Sequence, residues 1–189
     1  MHSALWIAIL VALPLLAIGA WLVLTYNKLV RLRQFLGEAW SAIDAELQRR
    51  HDLIPALVEV VKGHAAHERE TLERVTQARA AARNERGVDD AVAKETQLVA
   101  TLRRLLAVAE AYPELKASER FLDLQHQLVE TETRLSKARR FYNANVRAMN
   151  NAVGRFPSNL VAGRFGFGPQ PYFEVEEAAR AAPAVTLTR

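Results

Sequence analysis

The chain has 189 residues, half of them hydrophobic, with 25 Lys and Arg against 21 Asp and Glu for a net charge of +4. It contains no cysteine, which excludes disulfides and thiol chemistry. The positive balance is interleaved with acids (Glu46/Arg49/Arg50, Glu70/Glu73/Arg74, Glu130/Glu132/Arg134), the pattern of solvated helix faces rather than of a nucleic-acid surface, and no nucleic-acid partner is expected.

The first element is an uncharged run from Ala4 to Tyr26. At about 1.5 Å per residue a helix of this length reaches roughly 34 Å, enough to cross a hydrocarbon core of about 30 Å. Trp6 lies at one end, and Trp21 and Tyr26 at the other, where amphipathic rings favour the headgroup region. Pro14 near its middle is tolerated in membrane helices. A cleaved signal peptide would carry a basic n-region and a small-x-small site; Met1-His2-Ser3 has neither Lys nor Arg, and the apolar run is longer than a usual h-region. The run therefore reads as an anchor. Lys28, Arg31 and Arg33 follow it directly, so the positive-inside rule places the following domain in the cytoplasm and the N-terminus outside.

Beyond Tyr26, apolar residues recur in steps of three and four: Leu29, Leu32, Leu36, Trp40, Ile43, Leu47, Ile54, Leu57 and Val61. With no proline next to Tyr26, the membrane helix is expected to continue into this first bundle helix, with Pro55 as a bend and Gly63 as the break. A second helix is expected over about 64–86, closed by Gly87 in a left-handed conformation. Asp89 is the expected N-cap of a third helix over about 90–112 with the stripe Leu98, Leu102, Leu105 and Ala109. Tyr112-Pro113 forces a turn. A fourth helix follows the candidate cap Ser118 and runs to about Val153, with the stripe Phe121, Leu124, Leu128, Leu135, Tyr142, Met149 and Val153.

Four helices with one apolar face each bury those faces together. The expected class is all-α: an N-terminal transmembrane helix continuing into an antiparallel up-and-down four-helix bundle. The domain plan is an anchor over 1–26, the bundle over 27–154, an aromatic, Gly- and Pro-containing tail over 155–174, and a disordered C-terminus over 175–189. In an up-down-up-down bundle the fourth helix ends where the first begins. Phe156, Phe165, Phe167, Tyr172 and Phe173 are therefore membrane-interface candidates together with Trp21, Tyr26, Lys28, Arg31 and Arg33. The alternative is a tail packed on the bundle without lipid contact.

Ordered blocks along the chain carry a resemblance. They are Tyr26-Asn27-Lys28-Leu29-Val30, Ala39-Trp40-Ser41-Ala42-Ile43-Asp44, Leu47-Gln48-Arg49-Arg50-His51-Asp52-Leu53-Ile54-Pro55 and Val61-Lys62-Gly63 with His67-Glu68 and Thr71-Leu72. Tyr112-Pro113-Glu114-Leu115-Lys116-Ala117, Leu124-Gln125, Thr131-Glu132, Tyr142-Asn143 and Phe156-Pro157-Ser158-Asn159 continue it. In these blocks the chain resembles the LemA family over nearly its whole length. The resemblance implies one N-terminal span and a four-helix bundle in the bacterial inner membrane, with a membrane-organising role by analogy and no settled biochemical activity. His64 stands where the family pattern often has Tyr.

The sharpest chemical candidate is His64-Ala65-Ala66-His67-Glu68, whose His64, His67 and Glu68 would share one face of a helix as metal ligands. The order matches neither HExxH nor its inverse, and the bland reading is a solvated face. A di-iron bundle would need Glu-x-x-His twice; Asp123-Leu124-Gln125-His126 is the nearest approach and stands alone. No serine sits in a GxSxG turn. Asp44, Arg50, Asp52, Tyr142, Asn143 and Asn145 interrupt the apolar stripes and read as a polar network fixing helix register, or as a docking surface. The expectation is a non-enzymatic scaffold without cofactor, whose partners are the bilayer, other proteins or further copies of itself. The rival is an adaptor for a membrane protease or signalling complex, and third is a metal-dependent activity around His64 and His67.

Overall fold

The computed structural model describes residues 2–174, without the side chains of residues 2–5, 7 and 8; the expected disordered C-terminus at 175–189 lies outside the described residues. The described residues form helices and their links, with no strand among them. In order come α1 (His2–His64), α2 (Arg69–Ala82), α3 (Val88–Glu110), α4 (Pro113–Lys116), α5 (Glu119–Gly154) and α6 (Ser158–Arg164).

α1 is one uninterrupted helix of 63 residues. From Ile9 it is long and apolar enough to cross a membrane, and its apolar stretch is unburied: Leu10, Leu13 and Leu16 each expose more than 60% of their surface. Past Tyr26 the expected stripe turns inward, with Leu29, Leu36, Ile43, Leu47, Ile54, Leu57 and Val61 buried. Pro55 does not break the helix. A proline has no N–H to give to the carbonyl four residues back, so the His51 carbonyl lacks its helical donor; the Arg79 Nε–H from α2 supplies one at 2.6 Å.

Contacts divide the chain into two compact units. One holds residues up to Ala39 together with Asn143–Gln170. Its buried side chains are Leu29, Leu36, Ala39, Val146, Met149, Val161, Ala162 and Phe167. The other holds Trp40–Tyr142 and, among the described residues, 171–174. Its core combines Ile54, Leu57 and Val61 of α1, Leu72, Val75 and Ala78 of α2, Leu98, Leu102 and Leu105 of α3, Leu115 of α4 and Phe121 and Leu124 of α5. Each fully buried Leu or Phe contributes about 1.5–3 kcal/mol relative to exposure. The expected stripe of α3 is thus buried throughout.

Several element ends differ from the sequence expectation. The second helix spans Arg69–Ala82, not 64–86, because the first runs to His64 and Ala65 is buried in the link. Gly87 does have positive φ (+95°), but it precedes α3 rather than closing α2. Arg83 ends α2 in ordinary helical geometry. The start of α3 is held by Asp90, not Asp89: its Oδ2 accepts the Arg86 backbone N–H at 2.7 Å and the Lys94 ammonium at 2.7 Å. The expected turn at Tyr112-Pro113 is a single helical turn, α4, with proline in its first turn.

The tail expected over 155–174 contains a short helix, α6. Ser158 makes the junction, its hydroxyl lying within donating distance of the α5 carbonyl of Ala152 (2.7 Å) and of the Arg155 carbonyl just past the helix end (3.0 Å). Gly166, at φ +71°, closes α6, and the Phe167 N–H returns to the Ala162 carbonyl at 2.9 Å, the bond pattern of a Schellman cap. An L side chain at Gly166 would be strained whatever the space around it.

Candidate functional site

Two constellations stand out, one in each unit. In the unit built on Trp40–Tyr142, the buried stripe of α3 carries Glu95 between Ala91 and Leu98, fully inaccessible. A lone carboxylate there would cost several kcal/mol of desolvation. It is met instead by two consecutive residues of α1. The Arg50 Nη2 donates to Glu95 Oε2, and the His51 Nε2–H donates to Glu95 Oε1 at 2.7 Å, the tautomer that a carboxylate neighbour requires. Arg50 uses its second terminal nitrogen on Glu132 of α5, at 2.6 Å. Arg50 and His51 are 2% and 4% exposed, so these are desolvated, charge-assisted bonds.

The cluster ties α1 to α3 and α5 through one guanidinium, while the neighbouring His51 backbone carries the Arg79 bond from α2. Glu85, in the link before α3, stands in its field. Burial pushes its carboxyl above the usual glutamate range; the charges of Glu95 and Asp44 add to the rise, and His51 opposes it. Its Oε2 is buried without a hydrogen-bond partner. Arg50, His51 and Glu95 answer one another inside the protein, while Glu132 is 39% exposed and the Arg50 Nε is buried without a partner. Such an arrangement fixes helix register.

Of the polar residues that interrupt the stripes, Arg50 is central to this cluster. Asp44 is exposed, and Asp52 accepts from Gln48 at 2.9 Å on the exposed face. Tyr142 instead donates to the Pro171 carbonyl at 3.2 Å and stacks edge-on with Trp40, which also meets Phe173 (both 5.6 Å between centroids). The sequence reading missed Glu95, His51 as its partner, and Glu132. The signal was present: Glu95 falls in register with Leu98, Leu102, Leu105 and Ala109, and a carboxylate in an apolar stripe demands a cation.

The second constellation lies at the end of the apolar span. The Tyr26 ring meets Phe165 at 4.9 Å and Phe167 at 6.0 Å, both edge-to-face, and the Arg33 guanidinium sits over the Phe167 ring at 5.0 Å. Asn150 of α5 holds the following segment by a paired amide bond: its Oδ1 accepts the Gln170 N–H at 2.7 Å and its Nδ2 donates to the Gln170 carbonyl at 3.0 Å. Tyr26, Lys28, Arg31, Arg33, Phe156, Phe165 and Tyr172 are exposed and Trp21 is half-buried. Phe167 and Phe173 are buried. The five tail aromatics therefore split: Phe167 and Phe173 pack within protein, Phe173 against Trp40, and Phe156, Phe165 and Tyr172 are exposed.

The metal candidates do not share one helical face. His64 ends α1, its imidazole bonded to the Val60 carbonyl at 3.1 Å; His67 lies in the link and Glu68 precedes α2. The reason is the turn at residues 65–68, which separates positions that one continuous helix would have aligned. Among the described residues no three His, Asp or Glu side chains gather as a metal-binding group.

An all-helical protein with one candidate membrane span, a register-fixing charge cluster and an aromatic collar is a class the structure defines by itself. Comparison makes it specific. The LemA family profile matches residues 39–187, and the chain belongs to that family. It is similar to Protein LemA of Metamycoplasma hominis, 26% identical over 155 residues that make up 82% of this chain and 71% of that protein. It is also similar to magnetosome protein MamQ 2 of Paramagnetospirillum magneticum, 34% identical over 85 residues. Magnetosome protein MamQ of Magnetospirillum gryphiswaldense is 31% identical over 85 residues. These matches cover 45% of this chain and 31% of the magnetosome proteins' own length.

Proposed function

We propose that this protein is a single-pass membrane-anchored scaffold: a non-enzymatic four-helix bundle held at the cytoplasmic face of the bacterial inner membrane, which organises membrane or protein partners there. The observation that carries the reading is α1 itself. From Ile9 it is long and apolar enough to cross a membrane, and its apolar side chains there are unburied, as an anchor requires. Lys28, Arg31 and Arg33 directly after the span favour retention of that side in the cytoplasm.

The non-catalytic reading is supported by Arg50, His51 and Glu95, which are buried and bonded to one another rather than presented to a substrate. A membrane-organising role is supported by the likeness to the magnetosome proteins, over less than a third of their length. On α5, Val129 is exposed.

Because the chain has no cysteine, a single Val129→Cys variant reports orientation directly. In spheroplasts a membrane-impermeant maleimide is expected to leave it unlabelled, and to label it fully once the membrane is opened. The protein is expected to stay with the bilayer after alkaline carbonate washing. Labelling from outside refutes the cytoplasmic placement; release by carbonate refutes the anchor.

A further inference from the structure

The charge of this chain is not spread evenly. The unit formed by residues up to Ala39 and Asn143–Gln170 contains Lys28, Arg31, Arg33, Arg147, Arg155 and Arg164 against the single acid Glu38, a net charge of +5. The remainder of the chain carries −1 of the total of +4. The same basic unit contains the apolar span and exposes large apolar side chains beyond it: Phe156 at 80%, Leu160 at 62% and Phe165 at 55%.

These three surround α6. Its other side is spent internally, with Val161 and Ala162 buried. Phe156 lies in the turn that precedes α6 and Leu160 within the helix, and the Asn159 N–H bonds back to the Arg155 carbonyl at 2.7 Å, which ties the turn to the helix start. Arg155 and Arg164, both exposed, bracket the segment. Phe165 touches Tyr26, which closes the span after the exposed Leu22, Val23 and Leu24. An outward apolar side with flanking arginines, joined ring-to-ring to the end of a candidate span, matches the chemistry of a lipid-water interface. Such a surface in water would be an aggregation liability.

We propose that α6 with the Arg155–Phe156 turn is an interfacial helix: Phe156, Leu160 and Phe165 enter the headgroup and upper acyl region of the bilayer, while Arg155 and Arg164 pair with anionic lipid phosphates. The occupant is the membrane's own surface. Phe167 is not part of the lipid face; clamped between Tyr26 and Arg33, it positions the segment beside the span. The inference deepens the anchored reading and rests on it.

The test uses full-length single-cysteine variants carrying a nitroxide, reconstituted in phosphatidylcholine vesicles with or without phosphatidylglycerol. The sites are Leu160→Cys and Phe156→Cys, Leu16→Cys as the span control and Val129→Cys as the aqueous control. Expected is a several-fold higher ratio of oxygen to nickel-chelate collisions at 160 and 156 than at 129, rising with phosphatidylglycerol and losing that rise in the Arg155→Gln/Arg164→Gln background. If the label at 16 reads lipid while those at 160 and 156 match 129, the interfacial helix is refuted and the anchor stands. If the label at 16 also reads water, the anchored reading itself fails. Spin–spin broadening at 160 with aqueous collision ratios assigns the patch to a second copy and overturns the proposal. Depth at 160 that is unchanged by phosphatidylglycerol overturns the phosphate pairing.

Discussion

At the scale of single residues, the energetics concentrate on Glu95. It is the one carboxylate placed in the fully buried stripe of α3, and its two oxygens take separate donors from adjacent residues of α1. Removing one partner of a buried pair leaves the other charge desolvated, so Glu95→Ala is expected to destabilise by about 3–5 kcal/mol. Glu132, 39% exposed, contributes little, and Glu132→Gln is expected to cost about 1 kcal/mol or less. Thermal unfolding followed by circular dichroism on the full chain in detergent separates the two; equal effects would dismiss the central position of Glu95.

Glu85 adds a pH dependence of definite sign. Its carboxyl is raised in the folded state, chiefly by burial, so between the unfolded and folded pKa values the native protein binds more protons than the unfolded chain. Stability therefore falls as pH rises through that window above the usual glutamate range, and levels off beyond it. Glu85→Gln is expected to abolish this fall, giving a variant whose melting temperature relative to the parent climbs with pH across the window. A pH-independent difference between the two proteins refutes the assignment.

Elements are governed here by how their ends and interruptions are satisfied. Pro55 stays inside α1 because the carbonyl it orphans at His51 has another donor, Arg79 of α2. The two positions are thus coupled. Arg79→Met is expected to cost about 1–3 kcal/mol by leaving that carbonyl without a partner. In a Pro55→Ala background the helical N–H is restored, and the same substitution should cost markedly less. A double-mutant cycle of unfolding free energies measures the difference, and additivity of the two changes would contradict the mechanism. The same logic explains α6. Seven residues make a poor helix alone, but the Ser158 hydroxyl covers the preceding carbonyls and Gly166 allows the reversal that seals its other end.

For the whole molecule, the organising fact is that α1 belongs to both units. Its apolar, charge-free beginning suits lipid, and its later turns alternate buried apolar residues with exposed polar ones, as water on one side requires. Uneven charge accompanies the division, +5 on the unit that contains the span and −1 elsewhere. A basic surface beside a span is attracted to anionic lipid and resists translocation, so the orientation expected in the labelling test and the lipid contact proposed for α6 share one electrostatic origin.

Composition and periodicity by themselves determined the helical class, the candidate span and most of the buried stripes, because burial of an apolar face follows a period of 3.6 regardless of what covers it. Leu98, Leu102, Leu105, Phe121, Leu124 and Leu135 needed no partner to be identified. The family, too, was legible in ordered blocks such as Leu47–Pro55 and is borne out by comparison. What only the tertiary structure decided were pairings across sequence: which cation answers Glu95, which donor answers the His51 carbonyl, and which tail aromatics turn inward. The reason is physical. A residue's own tendency to be buried is local, whereas the satisfaction of a buried polar group depends on atoms brought from 28 to 82 positions away, and nothing in the spacing of a single helix names them.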